Sequence, residues 1–407
     1  MTIRWITPLL GTASAMAVGD AGADIYILDV RDLVDKAGNR PDAVAEKIRL
    51  GHALLAEGKK TVVCCDYGIS RSNAIAAGIL VLAEGLSLDA AVRRVQEATG
   101  EGEIKVEPLQ AVRAALGERA APATRPAGRG VILTGGGGFL GKATAAGLAK
   151  DIRVAAPLRQ ALDVSRGSTQ LDALAGESGA EAIVHLASPR IYTSNVAMGA
   201  SLTMLRNVID VCLARNIPLV TLSGWEIYSG YRGSLSADES LPALPRGPYG
   251  ETKFLCETLI AHCQKHLGLR CALIRSSPVY GPGGDRPKFI YNFLDKARRN
   301  ETILTHHYRN GDPALDLLHI DDLIALIVRV VHTGFTGTLN AGTGALTSTH
   351  EIAGMLVALT GSKSSVERTP IDADTARIAM DHGLAHRLLG WKPEIAFADG
   401  LAALLAK

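Results

Sequence analysis

The sequence predicts an α/β protein built from two domains. The chain has 407 residues, more than one domain ordinarily holds, and 47% of them are hydrophobic, which suffices for two cores. Two segments each combine a short apolar strand, a glycine-containing loop and a helix, at residues 61–85 and 130–150. The stretch GERAAPATRPAGRG between them lacks apolar periodicity, so we expect domains at 1–117 and 130–407 joined by a linker over 118–129.

Composition narrows the classes of partner. A formal net charge of +2 without long charged runs gives no indication of nucleic-acid or membrane binding. No run of about 18 apolar residues predicts a membrane span, and the N-terminus lacks the pattern of a signal peptide. The six cysteines have no metal-ligand spacing, so we expect reduced thiols, a cytoplasmic protein and no bound metal.

The first domain is characterised by the segment TVVCCDYGISRSNAIAAGIL, residues 61–80. TVVCC predicts a buried strand, and SNAIAAGILVLAEG predicts a helix with Ser72 as its cap. The loop from Cys65 to Arg71 would turn backbone N–H groups and the positive end of the helix dipole into one cup. Such a cup binds phosphate and lowers the pKa of a thiol, which makes Cys65 a candidate nucleophile.

Residues around this cysteine fit the same chemistry. Arg71 can hold phosphoryl oxygens in a bidentate fork, and Gly68 lets the backbone approach a substrate closely. Ser72 can donate a hydrogen bond to the sulfur when it leaves. The C-x-x-x-x-x-R-S pattern resembles the cysteine-dependent dual-specificity phosphatase family, as do the stretches at 10–17 and 84–104. The resemblance implies a small phosphatase-like α/β domain.

The same resemblance implies an aspartic acid upstream of the nucleophile, which acts as general acid. Asp29, Asp32 and Asp35 are available, and Asp32 is preferred because it follows the strand-like IYILDV, with Asp35 in reserve. The family usually has a histidine where this chain has Cys64, and this departure bears on the rate of the reaction and not on the fold. The alternatives are a redox role for Cys64, a phosphate-binding module without turnover, or two core cysteines.

The second domain begins with GVILTGGGGFLGKATAAGLAK, a strand, a glycine turn and a helix. The T-G-x-x-G-x-x-G spacing falls on Thr134, Gly135, Gly138 and Gly141. The first glycine permits a tight turn, the second lets a pyrophosphate reach the backbone, and the third lets the helix pack on the strand. This order of elements predicts a dinucleotide-binding turn, with a flexible glycine-rich turn as the alternative.

A tyrosine and a lysine then follow at helical spacing. EAIVHLASP and IPLVTLSGWEIYSG predict two further strands, and Tyr249 and Lys253 in GPYGETKFLCE share one helical face. The ammonium of Lys253 would lower the pKa of Tyr249 and contact the nicotinamide ribose. Such a tyrosine can exchange a proton with a hydroxyl or carbonyl while a nicotinamide exchanges hydride.

These motifs resemble the extended short-chain dehydrogenase/reductases, the nucleotide-sugar epimerases, dehydratases and reductases. The resemblance continues through IRSSPVYGPGG, DLLHIDDL, LNAGTG and LGWKPEIAFADGL, over nearly all of 130–407. It implies a Rossmann-type doubly wound parallel sheet at about 130–270 and a small substrate-binding part mainly at 275–407. It also implies cofactor contacts from Phe139, Leu140 and Ala187, and a homodimer.

One catalytic position departs from that family. The family's serine or threonine lies four residues before the tyrosine of a V-Y-G-like segment, and Tyr228 in this chain has Gly224 at that position. Ser223 is adjacent and could bind substrate if a bulge re-aims it. Glu226 stands where the dehydratase branch carries an acid, but Trp225 replaces the aspartate of that branch.

Cofactor and substrate preferences are weakly indicated. Arg159 could accept the 2′-phosphate of NADP, and Asp163 resembles the family's aspartate beside the adenine, so the cofactor is written NAD(P). Arg309, in THHYRNGD, lies where the family often binds the substrate diphosphate. Together the two resemblances predict a bifunctional enzyme acting on a phosphorylated sugar, cyclitol or nucleotide sugar. The alternatives are a sensor that binds NAD(P) and phosphate without turnover, or a protein phosphatase fused to a reductase.

Overall fold

The computed structural model describes residues 3–19, 22, 24–36, 38–101, 104–117, 130–189 and 194–405. The predicted linker at 118–129 lies outside these residues. The described chain separates into two compact units. The first consists of the residues up to 117 together with 162–180 and 206–215, and the second holds the remainder. The predicted domains are continuous segments, so the two short inserts are an arrangement that the sequence did not indicate.

The N-terminal part of the first unit is a four-stranded sheet with helices. Its elements are β1 Arg4–Trp5, β2 Leu10–Ser14, β3 Ile25–Asp29, α1 Pro41–Ala56, β4 Lys60–Cys65, α2 Arg71–Glu84, α3 Leu88–Thr99 and α4 Val106–Ala115. The strand order is β1-β2-β4-β3, in which β1 is antiparallel and the others are parallel. Central strand β4 is buried from residue 61 to its end, which explains its unbroken apolar run. The strand and helix predicted around Cys65 are confirmed.

The elements from residue 130 onward alternate strands and helices. They are β5 Gly130–Thr134, α5 Phe139–Leu148, β6 Arg153–Ala155, α6 Thr169–Ser178, β7 Ala182–His185, α7 Asn195–Arg215, β8 Leu219–Gly224, β9 Gly233–Ala237, α8 Gly247–Leu267, β10 Cys271–Ser276, β11 Val279–Tyr280, α9 Lys288–Arg298, β12 Ile303–Tyr308, β13 Ala314–Leu315, β14 Leu318–His319, α10 Ile320–Thr333, β15 Gly337–Ala341, β16 Thr347–Ser348, α11 Thr349–Thr360, β17 Val366–Ile371, β18 Ala376–Met380, α12 Gly383–Leu389 and α13 Phe397–Ala403. A 3-10 turn at Trp225–Tyr228 follows β8.

Six of these strands form one parallel sheet in the second unit, in the order β15-β10-β8-β7-β5-β6. This confirms the predicted Rossmann-like parallel sheet. The strand order reverses between β5 and β7, and ligands of open α/β sheets bind outside the carboxyl ends of the strands at such a point.

The rest of the second unit supplies a smaller subdomain of short strand pairs and helices. Strand β12 pairs with β17 and β9 pairs with β18, both in parallel. Helices α9 and α11 pack together around a core that includes Ile290, Leu294 and Leu356. These elements lie mainly in 275–407, the region expected to bind substrate.

One described helix, Asn195–Arg215, is long and apolar enough by length and composition to cross a membrane. Only 44% of its most apolar window is buried inside the protein. It also carries an Arg206–Asp210 ion pair at 2.6 Å, which a bilayer core would disfavour.

Candidate functional site

The glycine turn after β5 has no room for side chains. Gly135 has a φ of +78°, and a Cβ there would lie 2.6 Å from the backbone nitrogen of Ala187. A Cβ on Gly141 would lie 2.1 Å from the carbonyl oxygen of Gly135. Gly138 precedes the first turn of α5, whose free N–H groups carry partial positive charge. This backbone cradle suits a pyrophosphate, as the spacing predicted.

A cavity of about 820 Å³ adjoins this turn. Its walls come from the residues just after β5, β7 and β10 and from the end of β8, where the sheet order reverses. The predicted site residues that line it are Gly135, Gly138, Phe139, Leu140, Gly141, Ala187, Ser223, Glu226, Tyr249 and Lys253. The fold therefore brings most of the predicted cofactor and catalytic residues of this unit into one cleft.

Tyr249 and Lys253 lie one turn apart at the start of α8. The ammonium of Lys253 donates to the carbonyl of Leu222 at 3.0 Å and lies 5.7 Å from the centre of the Tyr249 ring. The prediction that the pKa of Tyr249 is lowered is wrong. Burial and the nearby carboxyl of Glu226 raise that pKa instead, so the tyrosine holds its proton.

Ser223 at the end of β8 and Glu226 in the 3-10 turn that follows both line the cavity. Strand β8 stays in regular register with β10 through Gly224, so no bulge re-aims Ser223. Ser223 nevertheless lines the cavity as a residue, and its hydroxyl is buried without a hydrogen-bond partner among the described residues. Burial raises the pKa of Glu226 to about 7, although Lys253 opposes the shift.

His185 and Cys256 are among the cavity residues that were not predicted. His185, at the end of β7, accepts or donates a 2.7 Å hydrogen bond with Thr134, and burial with the nearby Lys253 lowers its pKa to about 4. Thr134 is therefore a support for His185 and does not itself line the cavity. Cys256, one turn beyond Lys253, also lines it. A histidine closing an apolar strand in EAIVH was a signal that could have been used.

Besides Thr134, three predicted ligand contacts do not line this cavity among the described residues. Arg159 is exposed, and the carboxylate of Asp163 accepts from the N–H and the hydroxyl of Ser165. Arg309 forms ion pairs with Asp372 at 3.7 Å and Asp374 at 3.4 Å. Because these three side chains do not line the cavity, their roles stay predictions.

The first unit has its own site at the end of β4. Cys65 is buried, and its sulfur accepts from the N–H of Gly68 at 3.2 Å and lies 3.4 Å from the Ser72 hydroxyl. Gly68 has a φ of +72°, and a Cβ there would lie 2.5 Å from the backbone of Ala13. Helix α2 begins at Arg71, so Ser72 lies inside the first turn facing the sulfur and is not the cap.

The electrostatics of this loop favour a thiolate. Burial opposes ionisation of Cys65, but the Ser72 hydroxyl and the backbone N–H groups of Ser72, Gly68 and Tyr67 outweigh it and lower the pKa. The neighbouring Cys64 behaves oppositely, because burial and then Asp29 raise its pKa to about 11. The two adjacent cysteines are therefore chemically distinct, and only Cys65 is placed as a nucleophile.

Arg71 joins the loop to the aspartate segment. Its guanidinium donates to the carbonyl of Leu33 at 2.8 Å and to the carboxylate of Asp66 at 2.5 Å. Asp32 is exposed and paired with Lys47 at 3.0 Å, whereas Asp35 is less exposed and paired with Lys105 at 2.7 Å.

Asp66 was not identified from the sequence as a partner of Arg71, although it follows the nucleophile directly. Among the described residues, no group of His, Cys, Asp and Glu could hold a metal ion.

Comparison with known proteins identifies the second unit. The model of the NAD dependent epimerase/dehydratase family matches residues 131–342, which is more than half of the chain. The chain belongs to the NAD dependent epimerase/dehydratase family. The match covers the glycine turn, the six-stranded sheet and the Tyr249–Lys253 pair, so the predicted family is confirmed for these residues. The match does not include the N-terminal residues up to 130, among which Cys65 lies.

Curated relatives in this family carry several names. A UDP-glucose 4-epimerase of Mycolicibacterium smegmatis is 28% identical over 217 residues, which are 52% of this chain and 65% of that protein. A dTDP-glucose 4,6-dehydratase of Streptomyces griseus is 30% identical over 241 residues, 56% of this chain and 72% of that protein. A GDP-mannose 3,5-epimerase of Arabidopsis thaliana is 27% identical over 172 residues, 41% of this chain and 45% of that protein. The chain thus spans less than two thirds of the first and third of these relatives.

Solved structures of family members share the fold. A UDP-glucose 4-epimerase of Thermus thermophilus in complex with NAD superposes with a TM-score of 0.60 at 20% identity, over 68% of this chain and 98% of that one. A dTDP-glucose 4,6-dehydratase of Streptomyces venezuelae with NAD bound gives a TM-score of 0.59 at 23% identity, over 68% of this chain and 96% of that one.

Proposed function

We propose that the second unit is an NAD(P)-dependent epimerase, dehydratase or reductase of a sugar or nucleotide sugar. The observation that carries the proposal is the meeting of Tyr249, Lys253 and Ser223 in one cavity beside the glycine turn. Several family relatives are named as nucleotide-sugar enzymes, which favours that substrate class. The volume of about 820 Å³ is in the range that ligand pockets occupy.

Each residue of this site would have a separate role in the reaction. A bound dinucleotide supplies hydride exchange, and its pyrophosphate would rest on the N–H groups around Gly135 and Gly138. Tyr249 would pass a proton to or from the substrate oxygen, and the ammonium of Lys253 would stabilise the phenolate that this leaves. The Ser223 hydroxyl, which is buried and has no hydrogen-bond partner in the described part of the chain, would donate to the same substrate.

Cofactor turnover tests this proposal. Purified protein with NAD or NADP is offered UDP-glucose, dTDP-glucose and GDP-mannose, and the change in absorbance at 340 nm and the sugar products are followed. We expect turnover in the wild type and a loss of about 10²- to 10⁴-fold in Tyr249→Phe, because the proton donor is removed while the ring remains. Tight nucleotide binding without turnover of any sugar would refute an enzyme and favour the sensor.

A second function is favoured by the loop around Cys65. We propose that the first unit is a cysteine phosphatase for a small phosphate monoester. The support is the lowered pKa of Cys65 together with N–H groups and Arg71 at the mouth of the same loop. The thiolate attacks phosphorus, an S–P bond forms as the ester P–O bond breaks, and a carboxylic acid protonates the leaving oxygen. Water then attacks phosphorus, the S–P bond breaks, and inorganic phosphate leaves with the thiolate restored.

The acid in the first step would come from Asp32 or Asp35. Arg71 donates to a carbonyl between them in the chain, which holds this segment beside the phosphate loop. Asp35 lies close enough to act on the guanidinium of Arg71, so it competes with Asp32 for the role. Separate Asp32→Asn and Asp35→Asn variants distinguish the two. The variant that removes the general acid should slow the hydrolysis of esters with poor leaving groups more than that of p-nitrophenyl phosphate, and the other variant should not.

Phosphate release from p-nitrophenyl phosphate and a panel of sugar and cyclitol phosphates tests the phosphatase. We expect release by the wild type and none by Cys65→Ser, with Cys64→Ser as the matched neighbour that keeps activity. If both units are active, we propose that they act in sequence on one small molecule, and the best phosphatase substrate would point to the sugar. Equal release by wild type and Cys65→Ser, or none by either, would refute the phosphatase and leave a phosphate-binding module.

A further inference from the structure

The side chain of Glu226 occupies the space that a side chain at position 224 would fill. An ideal Cβ built on Gly224 would lie 2.2 Å from the Oε2 atom of Glu226 and 3.4 Å from its Cδ. Because real Cβ atoms are essentially never that close to another heavy atom, a side chain at 224 and this position of the carboxyl exclude each other. The glycine therefore creates the room that the carboxyl takes.

Local packing holds the carboxyl there. Strand β8 ends at Gly224, and the 3-10 turn that follows carries Glu226 as its second residue. Helix α8 rests on this turn, since a Cβ on Gly250 would lie 2.6 Å from the Glu226 carbonyl oxygen. The close approach places Tyr249 next to the turn, and the charge of Glu226 contributes to the raised pKa of that tyrosine.

Burial raises the pKa of this carboxyl to about 7, so both its neutral and its ionised form are populated near pH 7. It interacts electrostatically with Lys253 and Tyr249 of α8, and the Ser276 carbonyl of β10 lies 3.6 Å from the Cβ position of 224. The uncharged Ser223 of β8 lines the same cavity. Two effects lower its pKa, the hydrogen bond from its own backbone N–H and the charge of Lys253, which is the one cation acting on it among the described residues, and burial outweighs both. A neutral carboxyl has an O–H that can donate, as a serine or threonine hydroxyl does.

We propose that Glu226 replaces the hydroxyl that the family carries at position 224, and that its protonated carboxyl donates a hydrogen bond to the substrate oxygen at the reacting carbon. This inference rests on the proposed function of the second unit. It explains the departure at Gly224: a glycine has no hydroxyl to donate, and its missing side chain leaves the space in which the Glu226 carboxyl lies. It also sets an upper pH limit on the reaction, because the donor is lost when the carboxyl ionises.

The first test uses protein without any ligand. Infrared difference spectra between pH 5.5 and 8.5 report the C=O stretch of protonated carboxyl groups. We expect a carboxyl titrating near pH 7 in the wild type that is missing in Glu226→Gln. In Gly224→Ser, the added side chain should displace the carboxyl towards water and move its titration towards the ordinary range of glutamic acid. A wild type without that band, or a Gly224→Ser variant that keeps it unchanged, would overturn the placement of the carboxyl.

The second test is a rescue, using whichever of UDP-glucose, dTDP-glucose or GDP-mannose turns over fastest. We expect kcat of the wild type to fall above pH 7, and Glu226→Gln, whose amide still donates, to lose that fall. Glu226→Ala should lose about 10²-fold in kcat, as for one deleted oxyanion donor, and Gly224→Ser/Glu226→Ala should recover at least tenfold. A double variant no faster than Glu226→Ala, or an unchanged pH profile in Glu226→Gln, would refute the role of Glu226. An inactive wild type would instead refute the proposed function, and the catalytic role of Glu226 with it.

Discussion

Removal of the Ser72 hydroxyl tests the electrostatics of the cysteine loop quantitatively. The sulfur of Cys65 has the Ser72 hydroxyl at 3.4 Å and the N–H of Gly68 at 3.2 Å, with further N–H groups from Ser72 and Tyr67. A hydrogen bond to a charged group contributes about 1.5–3 kcal/mol, and the length of this one places it at about the lower limit. Because about 1.36 kcal/mol corresponds to one pH unit, Ser72→Ala should raise the titration midpoint of Cys65 by about one unit.

Absorbance of the thiolate at 240 nm, titrated against pH, measures this midpoint without needing a reagent to reach the buried sulfur. The Cys65→Ser variant provides the baseline, because it removes only the thiol of interest from the six. Ser70→Ala is the matched control, since the Ser70 hydroxyl accepts from the Lys105 N–H at 3.2 Å, whereas the hydrogen-bond partners of the sulfur among the described residues are Ser72 and Gly68. An unchanged midpoint in Ser72→Ala, or an equal shift in Ser70→Ala, would refute the reasoning.

Three further predictions concern other parts of the chain. Gly141→Ala should weaken NAD binding at least tenfold, as measured by fluorescence titration, because the added Cβ would lie 2.1 Å from a backbone oxygen. Gly354→Ala is the control and should not weaken binding, because the space around Gly354 is open. Asp66→Asn should tighten phosphate binding a few-fold by calorimetry, since Asp66 pairs with Arg71 at 2.5 Å and repels the anion; unchanged affinity would contradict this. Asp316→Ala should lower the free energy of unfolding in urea by about 3 kcal/mol, because the buried carboxylate of Asp316 accepts from the backbone N–H groups of Thr343, Gly344 and Met380, which would lose their partner. Asp316→Asn should cost less.

Local sequence patterns were sufficient to predict the strands, loops and helices that carry both sites. An apolar run, a glycine-containing loop and a helix follow one another at Cys65 and again at Gly135, and both were predicted before any coordinates. The reason is that a buried strand, a tight turn and a helix start each leave a signature in a few adjacent residues. The Tyr249–Lys253 pair needed only the helical repeat.

Residues whose roles depend on distant neighbours could not be read in this way. Thr134 was expected to bind the cofactor, but its hydroxyl bonds with His185, a residue 51 positions away. Arg309 was expected to bind substrate, but its ion-pair partners come from the connection between β17 and β18. Sequence spacing carries no information about such partners, because the chain path between them is set by the packing of whole elements.

The sequence by itself determined the strand, loop and helix order, the family of the second unit and the identity of the nucleophile candidate. Only the tertiary structure decided the ionisation of the site, because a pKa depends on burial and on charges brought from other elements. It reversed the expected shift of Tyr249 and separated Cys65 from Cys64. It also set the carboxyl of Glu226 in the space left by Gly224, a relation of volumes that no one-dimensional pattern contains.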